Sequence, residues 1–349
     1  MDCCGNGFSD VELIAAEPRK VGRRGMLSVA GPALAAPFVA NAAHAAGKTL
    51  QVGFCSQLLC APPYVVTQAG GFFKSEGLDV EIVNLRGSPA VMQALVGGAI
   101  DYGASTFDDV LVATSRGLAV TRFASTAKLP LFALAVAPGR AKEINTLKDL
   151  EGRTVGVVAP GSAAEGWLRS IMKKAGADGS KVRYASLGPN ILEPLKQNQV
   201  DAAWINEPSL SLVVQAGGKA LVNFMETDDA DRLLGGRYEF MGVSVRRAEA
   251  ADRREEMRAM SRALTKGLQA LQSMTPGEAI RALPSALRAG LDVPLMENII
   301  GRYRAALYPT STAIDVAACD RVAETLKFIG LIKPEVTASQ VLDLTIAAG

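Results

Sequence analysis

The chain has 349 residues and a single histidine, His44, and that scarcity limits its chemistry. A Ser-His-Asp or Cys-His system needs an imidazole to move the proton, and His-rich zinc sites need more than one. No paired carboxylates are spaced for acid–base work. Gly217-Gly218-Lys219 lacks the preceding glycine spacing and the Ser/Thr of a phosphate loop. What the sequence does offer is capture chemistry. Gly87-Ser88, Pro160-Gly161-Ser162-Ala163 and Gly188-Pro189-Asn190 each stand where an apolar run gives way to a helical stretch. Backbone N–H groups and the positive dipole end at a helix start attract an anion or a polarised oxygen. Ser56 and Gln57 follow the first apolar run, Ser105 and Thr106 follow the third, and Trp204 and Asn206 end the corresponding run of the second half. Trp204 would supply an apolar or stacking wall. Arg86 and Lys128 are the candidate counter-charges. Plainer uses exist for several of these residues. Ser88 and Ser162 are good helix caps with no ligand, Glu165 can close a capping box on Ser162, and Trp204 suits a core. Asp108, Asp109 and Glu207 lie close to these segments. If they face the ligand they repel an anion, and a cationic or hydrogen-bonding heterocycle becomes the better fit.

The elements that position these residues come in two similar passes. LQVGFC at 50–55, LDVEIVN at 78–84 and IDYGAS at 100–105 read as strands separated by helices. Ser88 is the expected cap of the second helix, with Pro89 at its first position and Gly97-Gly98 as its stop. TVGVV at 154–158, KVRYAS at 181–186 and VDAAWI at 200–205 repeat the pattern, with Asn190 and Glu193 again at capping-box spacing. VMQALVGGAIDYGAS and ILEPLKQNQVDAAWI align as helix, turn, Asp, strand, which makes Asp101 and Asp201 equivalent. Two βαβαβ units follow, each a parallel-centred sheet in an α/β fold. In such sheets ligands bind beyond the carboxyl ends of the strands. After the strand at 240–245 the pattern turns helical, over 247–273, 276–289, 295–307, 313–329 and 337–347. This tail must pack on something. Its return to the first unit implies two connections, near 131–140 and 236–246.

Composition narrows the function classes. Hydrophobic residues make up 49% of the chain, so it is not a disordered protein, and a formal charge of +2 lacks the basic excess of a nucleic-acid binder. Residues 1–45 read as a secretory signal. Arg23-Arg24 precede an apolar, Ala-rich run that ends in Ala43-His44-Ala45-Ala46, and the paired arginines suggest the route for folded proteins. A membrane anchor is the alternative, although Pro32 and Pro37 make a poor span. Cleavage after Ala45 would remove His44, Cys3 and Cys4. It would leave Cys55, Cys60 and Cys319, either with Cys55 and Cys60 bridged or with all three as small buried hydrophobes.

APPYVVTQAGGFFKSEGLDVEIV, SPAVMQALVGGAIDYGAST, LKDLEGRTVGVVAPGSAAEGWLRSIMKKAG and VDAAWINEPSLSLVVQAG, in that order, resemble the nitrate, sulfonate and taurine substrate-binding proteins of ABC importers. The resemblance covers most of residues 48–245 and is loose over the C-terminal helices. It implies a type II periplasmic binding protein fold, with lobe 1 at 46–136 and 241–349, lobe 2 at 137–240, and two crossovers between them. It implies an exported periplasmic receptor, a monomer that delivers a small ligand to an ABC transporter membrane permease without cofactor, metal or nucleic acid. The ligand class it implies is a sulfonate, nitrate, taurine or aromatic carboxylate, with the oxyanion held at Ser88, Ser105, Thr106 and Ser162. The alternative is an enzyme, or a binding protein for a pyrimidine or thiamine precursor, on the same fold. The related pyrimidine-forming branch relies on histidine and a Cys-rich motif, which residues 46–349 lack. A ligand-sensing domain for a membrane partner would look the same.

Overall fold

Two five-stranded sheets organise the described residues, with strand orders β2-β1-β3-β10-β4 and β7-β6-β8-β5-β9. The strands are β1 (Leu50–Cys55), β2 (Val80–Leu85), β3 (Tyr102–Thr106), β4 (Val120–Ala127), β5 (Ala133–Val136), β6 (Thr154–Val157), β7 (Arg183–Ser186), β8 (Ala202–Ile205), β9 (Lys219–Asn223) and β10 (Met241–Arg246). The computed structural model describes residues 48–55, 57–157, 163–188, 190–288, 290 and 292–347. The expected signal, with Cys3, Cys4, Arg23, Arg24 and His44, lies outside these residues, as do Ser56, Gly161 and Ser162 and the side chain of Ala163.

The sheets are built alike. β1 lies parallel between β2 and β3, and β6 lies parallel between β7 and β8. Asp101 and Asp201 have the same task in each. Asp101 Oδ2 accepts from Gln51 N at 2.9 Å and Asp201 Oδ2 accepts from Thr154 N at 2.8 Å, so each carboxylate ties the foot of the third strand to the foot of the first. An arginine balances each charge: Arg253 lies 3.4 Å from Asp101 and Arg140 lies 2.8 Å from Asp201.

Each sheet also takes one antiparallel strand from across the molecule. The chain leaves β4, crosses at 128–132, and enters the second sheet as β5 between β8 and β9. It returns after the helix Thr227–Leu234 and enters the first sheet as β10 between β3 and β4. Ala133–Val136, expected to stay with the first lobe, therefore hydrogen-bond in the second sheet. The two crossings run side by side, with Tyr238 N donating to Lys128 O and Phe240 N to Ala127 O.

The C-terminal segment returns to the first sheet. The helix Arg254–Ser273 packs on the helix Pro62–Ala69, and a Cβ at Gly267 would sit 1.9 Å from Thr67 Oγ1, so that approach requires glycine. The expected helix at 276–289 breaks before Pro284, whose ring cannot continue it, into Pro276–Ala282 and Ser285–Arg288. The expected helix at 247–273 starts only at Arg254, after a 3₁₀ turn. Residues 337–347 form no long helix but a single 3₁₀ turn at Ala338–Val341, after which Asp343 N donates to Arg122 O. That contact covers the outer edge of β4, a strand that would otherwise present unpaired backbone. The tail also reaches the second sheet. Tyr303 OH accepts from Asn223 Nδ2 at 3.0 Å, and Arg302 Nε donates to Glu226 at 2.9 Å.

Arg122, on β4, is fully buried in the first sheet. Its Nε donates to Ser244 Oγ on β10 at 3.0 Å, and its Nη2 donates to the Ser105 carbonyl on β3 at 2.8 Å. The guanidinium reaches that carbonyl by lying across Gly242, where a Cβ would stand 2.1 Å from both Nη1 and the Ala124 carbonyl. G242A is expected to lower unfolding stability by about 3 kcal/mol, because neither a backbone carbonyl nor a buried guanidinium can give way freely. Urea unfolding of the two proteins measures the difference, and equal midpoints would refute this account of the strand.

Candidate functional site

β1 and β3 are parallel neighbours, so their carboxyl ends bring Gln57 beside the start of the helix Phe107–Ser115. Two of the hydroxyls expected there, those of Ser88 and Thr106, are already engaged within the protein. Thr106 N donates to Ser88 Oγ at 2.8 Å, and Thr106 Oγ1 donates to Asp109 Oδ2 at 2.8 Å while accepting from Asp109 N. Thr106 is thus the cap of its helix, and Ser88 fastens the helix Gly87–Val96 to the end of β3. Ser88 is not the cap of its own helix. Arg86 occupies that place and Gly87, at φ +79°, turns the chain into the first turn. Ser105 gives its carbonyl to Arg122, and its buried Oγ has no partner among the described residues. Gln57 is half-buried, and its Nε2 also lacks a partner there. Arg86 is exposed and Lys128 half-buried. Burial, with Arg237 nearby, pulls the Lys128 ammonium below its ordinary value.

In the second sheet Gly188 turns at φ +57°, and Ile191 rather than Asn190 stands at the cap of the next helix. Glu165 accepts from Arg169 at 2.7 Å. Asn206 follows β8 and gives its carbonyl to Leu210 N. Glu207 is buried but accepts from both the N–H and the hydroxyl of Ser211, each at 3.1 Å. Burial raises its carboxyl above the ordinary range. Trp204 is buried, stacks on Phe224 with ring centres 5.7 Å apart, and has no partner for Nε1 among the described residues.

Trp204 belongs to a larger assembly that centres on Phe132, in the first crossing. The Phe132 ring meets Trp167 at 5.5 Å, Trp204 at 5.3 Å, Phe224 at 5.9 Å and Phe240 at 6.0 Å, mostly edge to face. Trp167 meets Tyr238, from the second crossing, at 4.9 Å. Aromatic residues are only 5% of the sequence, yet both tryptophans stand in this one cluster. Edge-to-face pairs of this kind are worth about 1 kcal/mol each beyond their buried area. The Tyr238 hydroxyl then donates to Asp108 Oδ1 at 3.2 Å, which joins the cluster to the helix start beyond β3. Asp108 Oδ2 has no partner among the described residues. Burial, reinforced by the Asp109 charge, pushes the Asp108 carboxyl up to about 7, and burial raises Asp109 as well.

The carboxyl ends of β1, β3 and β8 thus carry a buried aromatic cluster, three donor-capable atoms without a partner among the described residues (Gln57 Nε2, Ser105 Oγ and Trp204 Nε1) and one carboxyl oxygen, Asp108 Oδ2, that can accept or, when protonated, donate. The sequence pattern pointed to Gln57, Ser105 and Trp204 as candidates and to Asp108 as a neighbouring acid. It did not point to Phe132, Trp167, Phe224, Tyr238 and Phe240, whose only common signal is that they are large aromatics near the two crossings. Cys55, Cys60 and Cys319 are buried thiols, not a disulfide. Among the described residues, no cluster of His, Cys, Asp and Glu suits a metal ion, and no helix is long and apolar enough to cross a membrane.

Comparison with known proteins gives a consistent picture. The family described as NMT1/THI5 like matches residues 61–279. The 4-amino-5-hydroxymethyl-2-methylpyrimidine phosphate synthase of Schizosaccharomyces pombe is 29% identical over 140 residues, 40% of this chain and 39% of that protein. The formylaminopyrimidine-binding protein of Halalkalibacterium halodurans is 31% identical over 133 residues, 38% of this chain and 39% of that protein. The matched stretches thus span about two fifths of these relatives' own length. The periplasmic aliphatic sulphonate binding protein SsuA from Escherichia coli superimposes with a TM-score of 0.67 at 18% identity, covering 84% of this chain and 92% of that one. The fold is that of the periplasmic binding proteins, two mixed α/β sheets with helices.

The raised acids fix a direction for stability against pH. Asp108 and Glu239 hold their protons to about 7, against ordinary values of 3.8 and 4.5. Between those limits the native chain binds more protons than the unfolded chain, so unfolding free energy falls as pH rises, by at most about 1.4 kcal/mol per pH unit for each group. D108N is expected to lose less stability than the wild type over the same range in urea titrations. Parallel curves would show that burial of Asp108 carries no such penalty.

Proposed function

We propose that this chain, which belongs to the NMT1/THI5-like family, is an exported solute-binding receptor that captures a small aromatic nitrogen heterocycle of the aminopyrimidine class for an ABC importer. One observation carries the ligand class: the Asp108 carboxyl, held by Tyr238 at the edge of the aromatic cluster, with Oδ2 lacking a partner among the described residues. An aminopyrimidine presents an amino donor next to a ring-nitrogen acceptor. A carboxyl group raised by burial to about 7 can match both, accepting from the amino group and donating to the ring nitrogen when protonated. Gln57 Nε2 and Trp204 Nε1 are donors for the remaining ring nitrogen or a carbonyl substituent. Phe132, Trp167 and Tyr238 supply the flat walls.

A sulfonate or nitrate is the poorer fit. The acid at the cluster has the wrong sign for an anion, and the hydroxyls of Ser88 and Thr106 are engaged with Asp109 and each other. The names of the two curated relatives, both concerned with pyrimidines, favour the same ligand class. Capture would proceed by closure of the two lobes about the crossings at 128–132 and 235–240, driven by contacts that only the closed form makes. The ligand leaves unchanged, passes to a membrane permease, and the receptor works as a monomer in the periplasm. The synthase named among the relatives is the second reading. It is disfavoured because His44 is the sole imidazole and precedes both sheets.

Calorimetric titration of the purified protein tests the assignment. Formylaminopyrimidine or a related 4-aminopyrimidine is expected to bind, and alkanesulfonates and nitrate are not. D108A is expected to weaken binding at least tenfold. W204F, which removes one donor and keeps a ring, is expected to cost about 1–2 kcal/mol. Conversion of the bound compound would overturn the receptor reading. Tight binding of a sulfonate that survives D108A would overturn the ligand class.

A further inference from the structure

The second crossing carries an acid that capture of a ligand does not require. Glu239 stands between Tyr238 and Phe240, yet its side chain turns the other way. Tyr238 and Phe240 face the aromatic cluster, at 4.9 Å from Trp167 and 6.0 Å from Phe132. Glu239, only 2% exposed, runs into the first sheet, where Oε2 accepts from Ser125 Oγ at 3.0 Å. Successive side chains of an extended segment point to opposite sides, so whatever fixes one fixes its neighbours. The first sheet is prepared for this acid. Ser105, Gly242 and Ser125 lie in one row across β3, β10 and β4, and the Arg122 guanidinium lies over Gly242 within that row.

Two atoms here lack a partner among the described residues, Arg122 Nη1 and Glu239 Oε1. They belong to opposite charges, and Arg122 is the strongest charge acting on the Glu239 carboxyl. The other groups that face it are Ser125 on β4 and, on the helix Val316–Phe328 and its cap, Cys319 and Asp315. A buried arginine and a buried glutamate that attract without touching are a costly arrangement for stability alone, since apolar residues would fill the space more cheaply.

We propose that Glu239 is a positioning residue for the cleft: its carboxyl group, bonded to Ser125 inside the first lobe, holds the second crossing so that Tyr238 and Phe240 stand in the aromatic wall. The inference rests on the reading of that wall as the capture site, but the contact itself exists without any ligand. Burial, opposed by Arg122 and Ser125 and reinforced by Asp315, pushes the Glu239 carboxyl up to about 7. The anchored position thus holds the proton more tightly than an exposed one would, so the anchor is favoured below that pH and weakened above it. Raised pH would loosen Tyr238 from Trp167.

Both tryptophans of the chain lie in the cluster, so intrinsic tryptophan fluorescence reports on the wall alone. Asp108 also bonds Tyr238 and titrates in the same range, so the test uses the D108N background. Without ligand, D108N is expected to show a fluorescence transition with a midpoint near 7, the value to which Glu239 is raised. D108N/E239Q is expected to lose it. D108N/S125A, which keeps the acid and removes the donor that favours its charged form, is expected to move the midpoint up by about one pH unit. That second variant carries the test if E239Q fails to fold. A D108N protein with no transition overturns the proposal. So does a transition that persists in D108N/E239Q, or a midpoint that S125A leaves in place. None of these results depends on the ligand class, so the capture reading stands or falls separately by calorimetry.

Discussion

The chain passes between its two sheets twice, and the rest of the molecule depends on how those passages are held. A lone crossing strand would leave backbone groups unpaired. Here each crossing pairs with the other through Tyr238 N to Lys128 O and Phe240 N to Ala127 O, and the first also receives Phe224 N on the Phe132 carbonyl. The side chains then do what the backbone cannot. Phe132 gathers one ring from the helix after β6, one from β8, one from beyond β9 and one from the second crossing. In the proposed receptor, hinge and pocket wall share these residues, so a ligand that touched the wall would act directly on the connection between the lobes.

Buried charge is the second theme. Arg122, Asp108 and Glu239 lie inside the protein or against the cleft, and each departs from its ordinary behaviour because burial disfavours the charged form. Arg122 repays part of that penalty by joining three strands, β3 through Ser105, its own β4, and β10 through Ser244. Asp101 and Asp201 stand instead at the strand feet with arginines beside them, where each accepts from a backbone N–H of the neighbouring strand. Acids of the first kind stand at or next to the aromatic cluster. Acids of the second kind stand at the opposite ends of the strands. The division matches the rule that parallel sheets bind at their carboxyl ends and are secured at their amino ends.

The plan of the fold was legible in the sequence because periodicity and capping are local. The matched helix-turn-Asp-strand segments at 91–105 and 191–205 revealed the repeat, and the structure gives Asp101 and Asp201 one shared role. The return of the C-terminal helices required two crossings, and two are present. Local rules failed where tertiary contacts compete with them. Ser88 has the residue type of a cap, but its hydroxyl is taken by Thr106 N while Arg86 and Gly87 open the helix. Residues 337–347 have helix-forming composition, but the edge of β4 claims their backbone. Ala133–Val136 read as an ordinary apolar strand, and nothing in four residues says which sheet will accept them.

The sequence by itself determined a chain with one histidine and a balanced charge, and it determined the two repeated α/β units. The tertiary structure decided what their strand ends present. Phe132, Trp167, Trp204, Phe224, Tyr238 and Phe240 are spread over more than a hundred residues, and no period connects them. They meet because β5 and β10 exchange sheets, a long-range pairing that no local propensity encodes. The same exchange turns Asp108 toward Tyr238 and Glu239 toward Ser125. Residue types set which polar groups the chain carries, and the double crossing placed them, because only the packed chain fixes which buried polar atoms find a partner among the described residues and which do not.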